Sequence, residues 1–149
     1  MENTKVAMKG TLLLELRDEN GVLKETRRKD NIIVSGGFDF ICQQCGGSVT
    51  TVMNAIALGT GSTTPVNTQT ALVTEVCRAA ATYSHTVGTQ VWQLQATFNP
   101  GTGTAALQEA GCFNSTTASS GVMLDRVTFS VINKGANDTL TATFQFTLS

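Results

Sequence analysis

The chain has 149 residues, ten Lys and Arg against eleven Asp and Glu, and a formal net charge of −1. A length of this order fits one domain, residues 1–149, able to bury roughly 70% of the surface its unfolded form exposes, so no disulfide or metal staple is required. The near-neutral balance argues against nucleic acid as the main partner, because phosphate binding is driven by clustered positive charge.

The charge is unevenly placed. Thirteen of the twenty-one charged side chains lie between Glu2 and Asp30, and the remainder of the chain is solvated mainly by Thr, Ser, Gly, Asn and Gln. A free protein usually spreads both signs of charge over its surface, so a nearly uncharged body points to a surface covered by other subunits. Residues 1–9 are expected to form an N-terminal arm. The stretch from Met1 to Lys9 lacks the apolar run of a signal peptide, and no stretch approaches the ~18 apolar residues of a membrane span. The expected setting is a reducing compartment, where Cys42, Cys45, Cys77 and Cys112 are read as buried free thiols.

From Val6 to Arg17, Leu12, Leu14 and Leu16 share one face of an extended chain, which predicts a half-buried strand. Asp18-Glu19-Asn20-Gly21 then offers a type I′ turn centred on Asn-Gly, with Val22 to Arg28 returning as a second arm that continues through Asn31 to Val34. After Ser35-Gly36-Gly37, the spacing of Phe38, Ile41, Cys42 and Cys45 predicts a short amphipathic helix ended by Gly46-Gly47. Met53 to Leu58 reads as a buried strand, and Asn67 or Thr68 as the cap of a helical turn or two through Ala71, Leu72 and Val76.

Beyond Arg78 the pattern has period two. Trp92, Leu94, Ala96 and Phe98 share a face, and Ala105 to Phe113 forms a strand with a bulge expected at Ala110-Gly111. Met123, Val127, Phe129 and Val131 point inward with Asp125 as an anomaly among them. Leu140, Ala142, Phe144, Phe146 and Leu148 alternate with polar residues. Seven or eight short strands separated by Gly, Asn and Pro turns predict an all-β, two-sheet antiparallel sandwich with one or two short helices. A jelly roll is the first topology and an immunoglobulin-like sandwich the second.

No catalytic site assembles from the sequence. The sole imidazole, His85, sits mid-strand without a motif and reads as a sheet-face side chain hydrogen-bonded to its neighbours. The acids after residue 30 are Asp39, Glu75, Glu109, Asp125 and Asp138. Asp125 is expected to pair with Arg126 and Glu75 with Arg78, Asp138 to serve a turn, and Glu109 to accept backbone N–H bonds at the bulge. Cys42-Gln-Gln-Cys45 has the spacing of half a zinc site, with Cys77, Cys112 or His85 to complete it. Both thiols share the helix face of Phe38 and Ile41, however, so core packing is preferred and no metal or cofactor is assigned. Gly59-Thr-Gly61 lacks the lysine of a phosphate cradle and reads as a loop. Trp92 and Tyr83 are strand residues of core or interface. The charged lead is the candidate partner-binding surface, with Lys5, Lys9, Arg27, Arg28 and Lys29 as its cations and mixed signs that favour a charged protein surface.

Five blocks stand in a fixed order along the chain: Ala55-Ile-Ala-Leu-Gly-Thr-Gly61, Thr70-Ala-Leu with Glu75 and Arg78, Glu109-Ala-Gly-Cys-Phe-Asn114, Arg126-Val-Thr-Phe129, and Asp138-Thr-Leu-Thr-Ala-Thr-Phe144. In these the chain resembles small β-sandwich structural proteins of tailed bacteriophages. It departs from them at Cys112, where a larger aliphatic residue is expected, and at Asp125, where a small one is. The resemblance implies a subunit without enzymatic activity, most like a head decoration or cement protein made in the bacterial cytoplasm and placed on the virion head. Its implied partners are the major capsid protein and neighbouring copies of itself, as a dimer or trimer, without nucleic acid or membrane. A tail, baseplate or fibre-attachment component is the alternative, and a carbohydrate-binding host-recognition module is another.

Overall fold

The computed structural model describes residues 4–149. The first strand, β1 (Met8–Arg17), follows from the leucine alternation: Leu12, Leu14 and Leu16 are wholly buried while their sequence neighbours remain half-exposed. It is followed by β2 (Leu23–Asp30), β3 (Ile32–Ile33), the helix α1 (Ser35–Cys45), β4 (Ala55–Gly59), β5 (Glu75–Ala80) and β6 (Thr82–His85). The chain ends through β7 (Val91–Phe98), β8 (Ala105–Phe113), β9 (Asp125–Lys134) and β10 (Thr139–Leu148).

These strands form a two-sheet antiparallel sandwich. One sheet has the order β2-β1-β10-β7-β6 and the other β3-β9-β8-β4-β5. Leucines of β1 face Phe144, Ala142 and Leu140 of β10, which in turn face Leu94, Ala96 and Phe98 of β7. These side chains interdigitate with Ile56, Leu58, Leu107, Cys112, Val127 and Ile132 of the second sheet, burying apolar surface worth roughly 25 cal/mol per Å². The outer face of the second sheet is covered as well, since Val34, Ala55, Ala57, Leu72, Phe113 and Met123 form a smaller buried cluster beneath the loops.

Several local expectations are corrected. The Asp18 turn closes with Gly21 N–H donating to the Asp18 carbonyl at 3.0 Å, and of Asn20 and Gly21 only Gly21 has positive φ (78°). This is a type I turn with a glycine bulge, held because Asp18 Oδ1 accepts the N–H groups of Asn20 and Val22. The run from Val22 to Val34 is not one arm: at Asn31 it leaves β2 and enters the other sheet as β3, paired with β9. No helix forms between Asn67 and Val76; that segment is a loop leading into β5, because its N–H groups are claimed by a buried carboxylate described below. The β8–β9 register shifts between Leu107 and Glu109 rather than at Ala110-Gly111, and the extra residues of β9 turn Val131 outward and Ile132 inward. Leu148 is half-exposed at the end of its strand.

The helix α1 starts at Ser35 and turns Gly37 and Phe40, not Phe38 and the thiols, toward the core. Gly37 packs against the Leu124 carbonyl so closely that the space for a Cβ is already filled. That close approach fixes which face of α1 is inward. Phe38, Cys42 and Cys45 are therefore exposed.

Candidate functional site

The polar groups most deeply placed in the sandwich are bound to one another. Glu109, on β8, is fully buried and its Oε1 accepts N–H bonds from Gly61 (3.0 Å) and Thr74 (2.7 Å), while Oε2 accepts from Val73 (3.0 Å). Arg126, on β9 and equally buried, donates Nε to Oε2 at 2.9 Å and holds Nη2 within 2.8 Å of the same oxygen. Its Nη1 reaches the Thr63 carbonyl and the Gln69 side chain. One ion pair thus pins both ends and the middle of the 60–74 loop. A Cβ on Gly61 would stand 2.5 Å from Glu109 Oε1, which is why glycine is needed there. Glu109 accepts backbone N–H bonds as expected, but from this loop rather than from the bulge.

Arg126 being taken by Glu109, the expected pair with Asp125 does not form. Asp125, also fully buried, accepts the Cys112 N–H at 2.9 Å and the Asn31 side-chain amide. Burial pushes its carboxyl up to about 7, opposed by these two donors. The Cys112 thiol is pushed well above its ordinary value, first by burial and then by Asp125. The expected pair of Glu75 and Arg78 does form, at 2.8 Å, and the Arg78 guanidinium lies 3.8 Å over the Phe113 ring. Asp138 closes its turn by accepting Gly135 N–H, and its contact with Lys24 at 2.8 Å holds its carboxyl below the usual range.

The candidate metal ligands are not brought together. Cys42 and Cys45 lie in the open on α1, against the expectation that they are buried; Cys77 is partly buried on β5 and Cys112 fully buried on β8. Among the described residues no three His, Cys, Asp or Glu side chains gather as a metal site. His85 Nδ1 donates to the Val91 carbonyl at 2.7 Å, the neighbourly bond expected of it. Among the described residues no helix is long and apolar enough to cross a membrane.

The candidate partner-binding cations have divided roles. Lys5 and Lys9 are exposed, with Lys9 already in β1; residues 1–3 of the expected arm lie outside the described residues. Arg28 and Lys29 are exposed on the edge strand β2. Arg27 turns inward and donates Nε to the Ser130 carbonyl and Nη2 to the Val131 carbonyl, covering backbone oxygens at the irregular part of β9.

Two surfaces are more open. The outer face of β7 and β10 is an uncharged array in which Gln93 faces Gln145, Gln95 faces Thr143 and Thr97 faces Thr141. The first two pairs are joined by side-chain hydrogen bonds of 3.0 Å. At one end of the sandwich, a groove of about 410 Å³ opens between Phe40 and Ile41 of α1, Val52 and Met53, and the rings of Tyr83 and Trp92. Trp92 stacks on Phe146 at 4.3 Å, so one of its faces is already covered. This groove was not legible in the sequence, because its walls come from three separated segments.

No protein-family model, curated protein or solved structure matches the chain.

Proposed function

We propose that the chain is a virion structural subunit, a decoration or cement protein that binds the capsid surface of a tailed phage and stabilises the head by bridging shell subunits. The observation that carries this reading is the uncharged outer face of β7 and β10. Its paired Gln and Thr side chains offer hydrogen bonds without the cost of burying unpaired charge. The ordered phage-like blocks support the same reading. Glu109 and Arg126, the buried pair that would otherwise suggest chemistry, hold a loop of the fold.

The subunit works by binding, with the major capsid protein and further copies of itself as partners. Specific interfaces bury on the order of 1,600 Å² in total, and many repeated around a closed shell add through multivalency. Lys5, Lys9 and Arg28 form the charged rim of the docking surface, and Lys29, opposite Leu12, stands at the β2 edge. Binding of the purified chain to expanded empty shells, read by co-sedimentation, tests the proposal. Saturable, high-copy binding is expected. Failure to bind shells, together with binding to tails or to glycans through Tyr83 and Trp92, would replace it with the tail-component or carbohydrate-binding reading.

A further inference from the structure

A sheet edge carries unpaired N–H and C=O groups that recruit another strand unless charge, irregularity or a covering loop blocks them. This sandwich has four edges, and three are blocked. On β2, the side chains of Glu25, Arg27 and Lys29 stand opposite Leu16, Leu14 and Leu12, on the core side, where they repel an added strand. β3 has only two residues. β5 is covered near Arg78, whose Nη1 donates to the carbonyls of Ser115 and Ser120, and its register against β4 is broken beside Gly59.

Among the described residues the fourth edge, β6, has none of these devices. It pairs with β7 without a register shift from Thr82 opposite Gln95 to His85 opposite Trp92, yet all four of its residues are exposed. No Lys, Arg, Asp or Glu occurs anywhere from Ala79 to Gln108. Large apolar side chains lie bare along this side: Tyr83 is 59% exposed, Val52 59% and Val87 91%.

We infer that β6 is a self-association edge: two copies pair antiparallel through Thr82–His85 about a two-fold axis, joining their β2-β1-β10-β7-β6 sheets into one continuous sheet. An isologous pairing brings each residue against the same segment of its mate. The β6 segment carries no Lys, Arg, Asp or Glu, whereas β2 carries Lys24, Glu25, Arg27, Arg28, Lys29 and Asp30. Antiparallel pairing also runs Val87 of one copy along the edge toward Ala79 and Ala81 of the other. There the Ala81 N–H bonds the Asn54 carbonyl at 2.8 Å and sets the Val52–Met53 wall of the groove beside the edge. The pairing therefore supplies main-chain hydrogen bonds from the edge and apolar contact from the groove rim. The inference rests on self-association within the proposed function and does not depend on the shell.

Sedimentation velocity of the purified full chain across a concentration series, without shells, tests it. The chain should form a dimer, and the double variant Thr82→Lys/Ser84→Lys should be monomeric with an unchanged circular dichroism spectrum. Both substitutions fall on the outer face opposite Gln95 and Gln93, away from the core. Thr26→Lys on the β2 edge should leave the dimer intact. Hydrogen exchange on the unaltered chain gives a second readout that no folding defect can mimic: amides in 82–85 should become more protected as concentration rises. A wild-type chain that stays monomeric, a dimer that survives the double lysine variant or is lost with Thr26→Lys, or exchange at β6 that ignores concentration would each overturn the assignment.

Discussion

Arg126 Nε donates to Glu109 Oε2 at 2.9 Å with both side chains fully buried, and the same carboxylate accepts three backbone N–H groups from the 60–74 loop. Breaking a buried pair by removing one partner typically costs about 3–5 kcal/mol, because the other charge is left without compensation. Glu109→Ala should lower unfolding free energy by about that amount, read by urea denaturation. The amides of Gly61, Val73 and Thr74 should lose hydrogen-exchange protection first. Unchanged protection at those three would show that the loop is held by something else.

Asp125 gives the fold a pH dependence of unusual sign. Its carboxyl is pushed from the ordinary 3.8 up to about 7 by burial, so between these values the folded state keeps a proton that the unfolded chain has released. Stability therefore falls as pH rises through this window, by an amount on the order of 4 kcal/mol, and levels off above it. Asp138 is shifted the other way by Lys24, so its contribution is lost only as pH falls below the usual carboxylate range. Urea midpoints from about pH 4.5 to 7.5 should decline for the natural chain, and Asp125→Asn should remove most of that slope.

The four thiols should react in two classes. Cys42 and Cys45 stand exposed on α1, whereas burial pushes Cys77 up to about 11 and Cys112 well above its ordinary value. Thiolate is the reactive form. Brief alkylation of the folded chain at neutral pH should label Cys42 and Cys45 and spare Cys112 until denaturant is added, as mass spectrometry of the peptides would show.

The charged lead can be cut only as far as the sheet allows. Ala7 and Ser149 exchange hydrogen bonds of 2.6 and 2.9 Å, and β1 starts at Met8. Deleting residues 1–5, which stops short of the Ala7–Ser149 bonds, should leave the thermal midpoint within about 2 °C. It should also reduce occupancy on shells by removing Lys5. Full occupancy after this deletion would take the lead out of the docking surface.

Period-two alternation made the sandwich readable, because Leu12, Leu14 and Leu16 or Leu140, Ala142 and Phe144 cannot all be buried in any other local conformation. Long-range partners set the features that were missed. The helical signal at Asn67 to Val76 was overridden by Glu109, whose carboxylate takes the Val73 and Thr74 N–H groups from thirty-six and thirty-five residues away. The helix face was misassigned because the space left by Gly37 beside the Leu124 carbonyl decides the packing, and a missing side chain gives no hydrophobic signal. Cys112 and Asp125, the two departures from the phage-like blocks, touch one another through the Cys112 N–H. Their pairing needed the fold to be seen.

Whether the chain coats a capsid in many copies, as proposed, is read from copy number per virion by quantitative mass spectrometry on separated heads and tails. A head-associated protein in copy number comparable with the major capsid protein is expected. A few copies per particle, or recovery with tails alone, would contradict it.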